Sequence, residues 1–188
     1  MKRILIILVL ICSTPVFSQS SDKYNSEFEN FYRAEDLFEK EQYAAARKEF
    51  RVFINNYAFP NNPMYIKALY YEAVSALALY NNDAIVLLKD FNKNYPESIY
   101  KQAIYFKLGK HFYYKKKYEV ALTWFNKLSI QDIEEEDRDE FYFKVGYANF
   151  KQKAFEAARS SFYEVKEGDS QYASPALYYY SHIAYQNE

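Results

Sequence analysis

Four short segments, Ala68-Leu69-Tyr70-Tyr71, Ala103-Ile104-Tyr105-Phe106, Glu140-Phe141-Tyr142-Phe143 and Ala176-Leu177-Tyr178-Tyr179, carry a tyrosine at their third position, 35, 37 and 36 residues apart. Self-similarity at such a period implies one supersecondary unit repeated along the chain, each copy unable to bury its apolar face alone. Each segment reads as the opening of a helix. A second pattern follows the later copies: Tyr118, Ala121, Phe125, Leu128 and then Phe155, Ala158, Phe162, Val165. Spacings of three and four place each set on one helical face. An earlier version is Tyr43, Ala46, Phe50, Phe53, preceded by a helix containing Ala34 and Leu37. The chain therefore predicts about four helix pairs plus one half-repeat. The last pattern, from Pro175, offers a first helix with Tyr178, Ser181 and Tyr185 on one face.

Small residues sharpen this reading. Ala34, Gly109 and Gly146 occupy equivalent places in the first helices, and in each copy an alanine follows 12 residues later, at Ala46, Ala121 and Ala158. Glycine inside a helix costs about 1 kcal/mol relative to alanine, so two of the 3 glycines falling here point to a close helix crossing. The expectation is that each lets the alanine of the second helix approach. The second copy departs from the pattern: Val74 stands at the glycine position and Ala84 follows 10 residues later, across Asn81-Asn82-Asp83. Either that turn is tight or its second helix starts late. His182 takes the glycine position in the final half-repeat.

Composition agrees with helices. With 3 Gly and 5 Pro in 188 residues, the turn chemistry of an all-β fold is missing. A hydrophobic fraction of 50% supports a folded core rather than disorder. Tyrosine, with 22 copies, suits positions buried at one end and wet at the other. Net charge is -1, with basic and acidic residues interspersed, so the electrostatic footprint of a nucleic-acid binder is missing.

Residues 1–18 read as a secretory signal: Lys2 and Arg3, an apolar run from Ile4 to Ile11, and a cleavage region at Val16-Phe17-Ser18. The run breaks at Ser13-Thr14-Pro15, short of the roughly 20 apolar residues of a membrane span. Bacterial lipoprotein signals end in a cysteine after small residues, and bulky Ile11 before Cys12 departs from that pattern. The expected product is secreted across the inner membrane, periplasmic or peripherally associated with the outer membrane, with no integral span in the mature chain. Residues 19–26 form a short linker, and 27–188 the repeat region.

The repeats resemble the tetratricopeptide (TPR) superfamily, whose period is ~34 residues. The match is clearest at Tyr105, Leu108-Gly109, Phe112, Tyr118-Glu119, Ala121 and Phe125, and next at Tyr142, Val145-Gly146, Phe155-Glu156, Ala158 and Phe162. The closing proline is clear only at Pro96. Phe91-Asn92-Lys93-Asn94-Tyr95-Pro96-Glu97-Ser98 looks like the repeats of bacterial envelope proteins, including outer-membrane assembly lipoproteins and the coordinator of peptidoglycan synthesis and outer-membrane constriction. Ala76 to Ser98 also looks like longer secreted repeat proteins of the Bacteroidota. The resemblance implies an all-α fold, a right-handed solenoid of antiparallel helix pairs whose first helices line a concave groove. Its groove positions fall on Tyr71, Ser75, Phe106, Lys110, Tyr113, Phe143, Tyr147 and Phe150. Phe106→Ala and Tyr147→Ala are expected to weaken partner capture while leaving the helical melt largely intact. The aromatics around the final half-repeat suggest an array continuing past Glu188, a capping helix being the alternative.

Catalytic chemistry is not apparent. Only His111 and His182 are histidines, Cys12 lies in the signal, and no phosphate loop, His-Glu-x-x-His helix or Gly-x-Ser-x-Gly elbow occurs. The acidic run Asp132 to Asp139 lacks a calcium-loop glycine and suits an inter-repeat loop leading into a helix N-terminus. Lys115-Lys116-Lys117 suits a solvated turn. No enzyme activity, metal or cofactor is expected. The leading functional class is a non-catalytic scaffold or adaptor of the cell envelope that binds peptide or protein partners. The alternatives are an outer-membrane assembly subunit and the helical half of a larger cell-wall enzyme.

Overall fold

The computed structural model of the protein describes residues 28–57 and 59–186; the expected signal segment and linker lie outside the described residues. Among the described residues the fold is all-α. In chain order the helices are α1 (Glu29–Glu39), α2 (Tyr43–Asn56), α3 (Pro63–Ala78), α4 (Ala84–Asn94), α5 (Lys101–Tyr114), α6 (Tyr118–Phe125), α7 (Arg138–Lys151), α8 (Phe155–Tyr163) and α9 (Ala173–Gln186). The acidic run begins at the end of a 3-10 turn at Ile130–Asp132 and continues through loop, a second 3-10 turn at Glu135–Asp137 and the first turn of α7, where Asp139 and Glu140 face the positive end of the helix dipole.

Consecutive helices pack together in the pairs α1/α2, α3/α4, α5/α6 and α7/α8, with α9 against α8, a repeat-like architecture that fits an α-solenoid in general terms. Short connections force the members of each pair antiparallel. All four within-pair turns have the same geometry. Glu41, Tyr80, Lys116 and Lys153 take positive φ, between 56° and 61°. The next amide reaches back five residues: Gln42 N to Leu37 O, Asn81 N to Ala76 O, Lys117 N to Phe112 O and Ala154 N to Asn149 O. This is the Schellman ending, which satisfies orphan carbonyls and usually employs glycine. Here four residues with side chains hold the left-handed conformation.

That shared turn explains the odd second copy. Ala46, Ala121 and Ala158 are each the fourth residue of their helix, whereas Ala84 is the first residue of α4. The second helix starts late. Asn62 opens α3 firmly, its side chain accepting the Met64 amide at 2.8 Å with Pro63 in the first turn.

The crossing residues pack differently from expectation in one respect. A Cβ built on Gly109 falls 2.5 Å from Phe125 Cδ1, and one on Gly146 falls 2.9 Å from Phe162 Cδ1. The glycines make room for a phenylalanine ring four residues beyond the alanine. Ala34, Ala46, Ala121 and Ala158 are all fully buried, and Phe50, Phe125 and Phe162 sit at the ring position of their pairs. In the second pair Val74 shares a core cluster with Leu88, a smaller side chain at that place. Volume is thus traded across the crossing, as close packing requires.

Four apolar clusters run along the chain, around Phe31 and Phe50, Val74 and Leu88, Phe125 and Phe141, and Phe162 and Ile183. A buried ion network reinforces the junction of the first two pairs. Arg47 of α2 donates to Glu72 of α3 at 2.9 Å and to Asp83 at 2.5 Å, and also bonds Asn81. Arg51 meets Glu72 at 3.1 Å. The hydrogen bond from Arg47 holds the Asp83 carboxyl below its usual range. By contrast the α4/α5 seam is thin, and α3 and α5 make at most a marginal contact, whereas α1 meets α3 and α5 meets α7.

Candidate functional site

The eight residues expected to line a groove lie on α3, α5 and α7, and their environments differ. Ser75 is fully buried, its hydroxyl without a hydrogen-bond partner among the described residues, and Phe106 is 8% exposed within the cluster of Phe125 and Phe141. Both serve the core. Phe106→Ala therefore opens a cavity, and the expectation that this change spares the helical melt does not suit its burial. Tyr71 is half-buried, its ring 4.5 Å from Phe38 and 5.9 Å from Phe50.

Lys110, Tyr113, Phe143, Tyr147 and Phe150 are half-buried side chains of α5 and α7. Their spacing along these helices brings the rings together in a row that continues onto α9. Tyr113 lies 5.9 Å from Tyr147, Tyr147 lies 5.3 Å from Tyr179, and Phe150 lies 5.0 Å from Tyr179. Beyond it, exposed Tyr178 stacks on His182 at 6.1 Å. Burial pushes the Tyr113 phenol pKa upward, with Tyr147 and Tyr118 adding to the effect, so this phenol stays neutral across physiological pH.

Lys110 is not a free cation. Its ammonium donates to Glu140 at 2.7 Å and sits 4.8 Å over the Phe106 ring. Glu140 also faces Lys144, at 3.3 Å, from one turn further along α7. Lys144 is 3% exposed, donates to the Tyr114 hydroxyl at 3.1 Å and lies 4.6 Å over Tyr113 and 4.3 Å over Tyr114. Burial alone raises the Glu140 pKa, but the bond from Lys110 and the charge of Lys144 outweigh it and hold the carboxyl below its usual range. This charged cluster is internally satisfied. Periodicity could not reveal it, because Lys144 and Glu140 look like solvent positions until α5 is placed beside α7.

His111 is half-buried beside Phe112, and burial together with Lys115 and Lys117 lowers its pKa. Among the described residues there is no group of three or more His, Cys, Asp or Glu able to hold a metal, and no helix long and apolar enough to cross a membrane. Comparison with protein-family models finds no match, and none is found among curated proteins.

Proposed function

We propose that this chain is a non-catalytic scaffold of the tetratricopeptide type, secreted into the bacterial envelope, that captures peptide or protein partners on the face built by its first helices. The observation that carries the reading is the aromatic row from Tyr113 through Tyr147 to Tyr179. Half-buried tyrosines offer large rigid contact area at low entropic cost. Lys110, Glu140 and Lys144 pair with one another beside the row, so its rings offer surface complementarity.

The test is a crosslinked pull-down of the full-length chain from its native envelope, compared with Tyr147→Ala. Tyr147 packs at the edge of the cluster around Phe162 and Ile183, so a thermal melt of Tyr147→Ala accompanies the capture assay. Partners recovered by the wild type and lost with Tyr147→Ala support the reading. Equal recovery by both, or recovery of the chain alone, counts against it.

A further inference from the structure

A second surface lies away from the aromatic row. At the N-terminal ends of α1 and α3, facing the 94–100 segment between α4 and α5, is an open cleft of about 770 Å³. Its lining comes from α1, α3 and the chain that leads from α4 into α5. Phe31 and Tyr32 of α1, Met64 and Ile66 of α3, and Ile99 and Tyr100 of the segment form its walls.

The segment that shapes the cleft is held in place. Tyr100 stacks on Tyr70 with centroids 4.1 Å apart and planes 9° from parallel, and Ser98 Oγ accepts the Tyr100 amide at 3.3 Å. Ile99, held between these anchors, is 84% exposed. This branched aliphatic side chain contributes little to the core and extends the apolar surface of the cleft to its lip.

Charge narrows the choice of that molecule. Three ionised groups line the cleft: Glu35, Lys67 and Glu97. Lys67 is engaged with Glu35 at 2.5 Å, and that bond raises its pKa. Glu97 is exposed and enters no ion pair among the described residues. The unbalanced charge at the lip is negative. The walls are mostly carbon, unlike the ring of donors and acceptors that a sugar needs, and the volume falls in the range of pockets that enclose a few side chains.

We propose that this cleft is a peptide-docking site that takes a leucine- or phenylalanine-sized side chain of an extended partner, with a lysine or arginine next to it meeting Glu97. The inference rests on the peptide-binding reading above and gives it a second, separate point of contact. Tyr32, Tyr95 and Tyr100 also line the cleft.

Random peptides displayed on phage, selected on the full-length chain, test it. Enriched peptides are then synthesised with a fluorescent label and titrated by anisotropy against the wild type, Ile99→Asp, Glu97→Lys and Tyr147→Ala. Ile99 and Glu97 are exposed, so their thermal melts should match the wild type. The expected result is enrichment of an apolar residue beside a basic one, binding weakened about tenfold or more by Ile99→Asp. Glu97→Lys should weaken it about threefold, as suits a rim charge, and Tyr147→Ala should leave it unchanged. Peptides that lose affinity only with Tyr147→Ala would overturn the cleft while sustaining the general reading. Failure to enrich any peptide would overturn both.

Discussion

Replacing Gly109 with valine while trimming Phe125 to leucine transplants the crossing of the second pair, Val74 with Leu88, into the third. A Cβ at Gly109 already falls 2.5 Å from Phe125 Cδ1, and the ring is 1% exposed, so valine meets a side chain with no free space to retreat into. Overpacking of this kind costs about 1–3 kcal/mol, while leaving glycine in mid-helix returns a few tenths, about 0.4 kcal/mol. Gly109→Val should therefore destabilise by about 1–2.5 kcal/mol, after both effects. Phe125→Leu alone removes buried ring atoms opposite glycine and should cost about 1–2 kcal/mol. If the two positions exchange volume, the double variant is no worse than Phe125→Leu, giving a coupling as large as the Gly109→Val cost, about 1–2.5 kcal/mol. Urea melts followed by far-UV circular dichroism provide the four stabilities of the cycle. Additivity within about 0.5 kcal/mol would refute the volume exchange, because independent sites behave that way.

Other consequences follow from the turns and the ion networks. Lys116→Gly should stabilise the chain by about 0.5–1 kcal/mol, read as a raised urea midpoint, because glycine adopts the left-handed conformation without a Cβ penalty. Glu72→Gln should destabilise by about 2–4 kcal/mol in the same melts, since it leaves Arg47 with less of its buried counter-charge. Stability should also fall in acid. Asp83 and Glu140 have folded-state pKa values below their ordinary values of 3.8 and 4.5, so their contribution is complete above those values and lost as pH falls through the lower folded ones. Thermal melts from neutral pH down to acid should show that decline, and it should be shallower in Asp83→Asn.

Helix number, pairing and crossing positions are legible in the sequence because each depends on spacings within one or two turns. Tyr118, Ala121 and Phe125 announce a buried face wherever they sit. The late start of α4 was visible as a shortened interval between Val74 and Ala84, though not which of two causes produced it; the conserved geometry at Tyr80 resolves that. Lateral contacts were hidden. Arg47 with Glu72, and Lys110 with Glu140, join residues 25 and 30 apart whose neighbourhood exists only once pairs are stacked. The glycine partner was misplaced by one turn for a related reason: spacing identifies a face, and the ring that fills it depends on how the two helices cross. Ser75 and Phe106 were assigned to a groove from family positions, but their burial depends on the neighbouring cluster. The cleft beside Ile99 gathers residues of α1, α3 and the α4/α5 connection, a neighbourhood that no local pattern encodes.

Hydrogen–deuterium exchange on the full-length chain, with and without a partner recovered by the pull-down, tests the proposed binding face most directly. Protection concentrated on the first helices, α1, α3, α5 and α7, with α2, α4, α6 and α8 unchanged, is the expected result. Protection confined to the second helices would contradict a binding face built by the first.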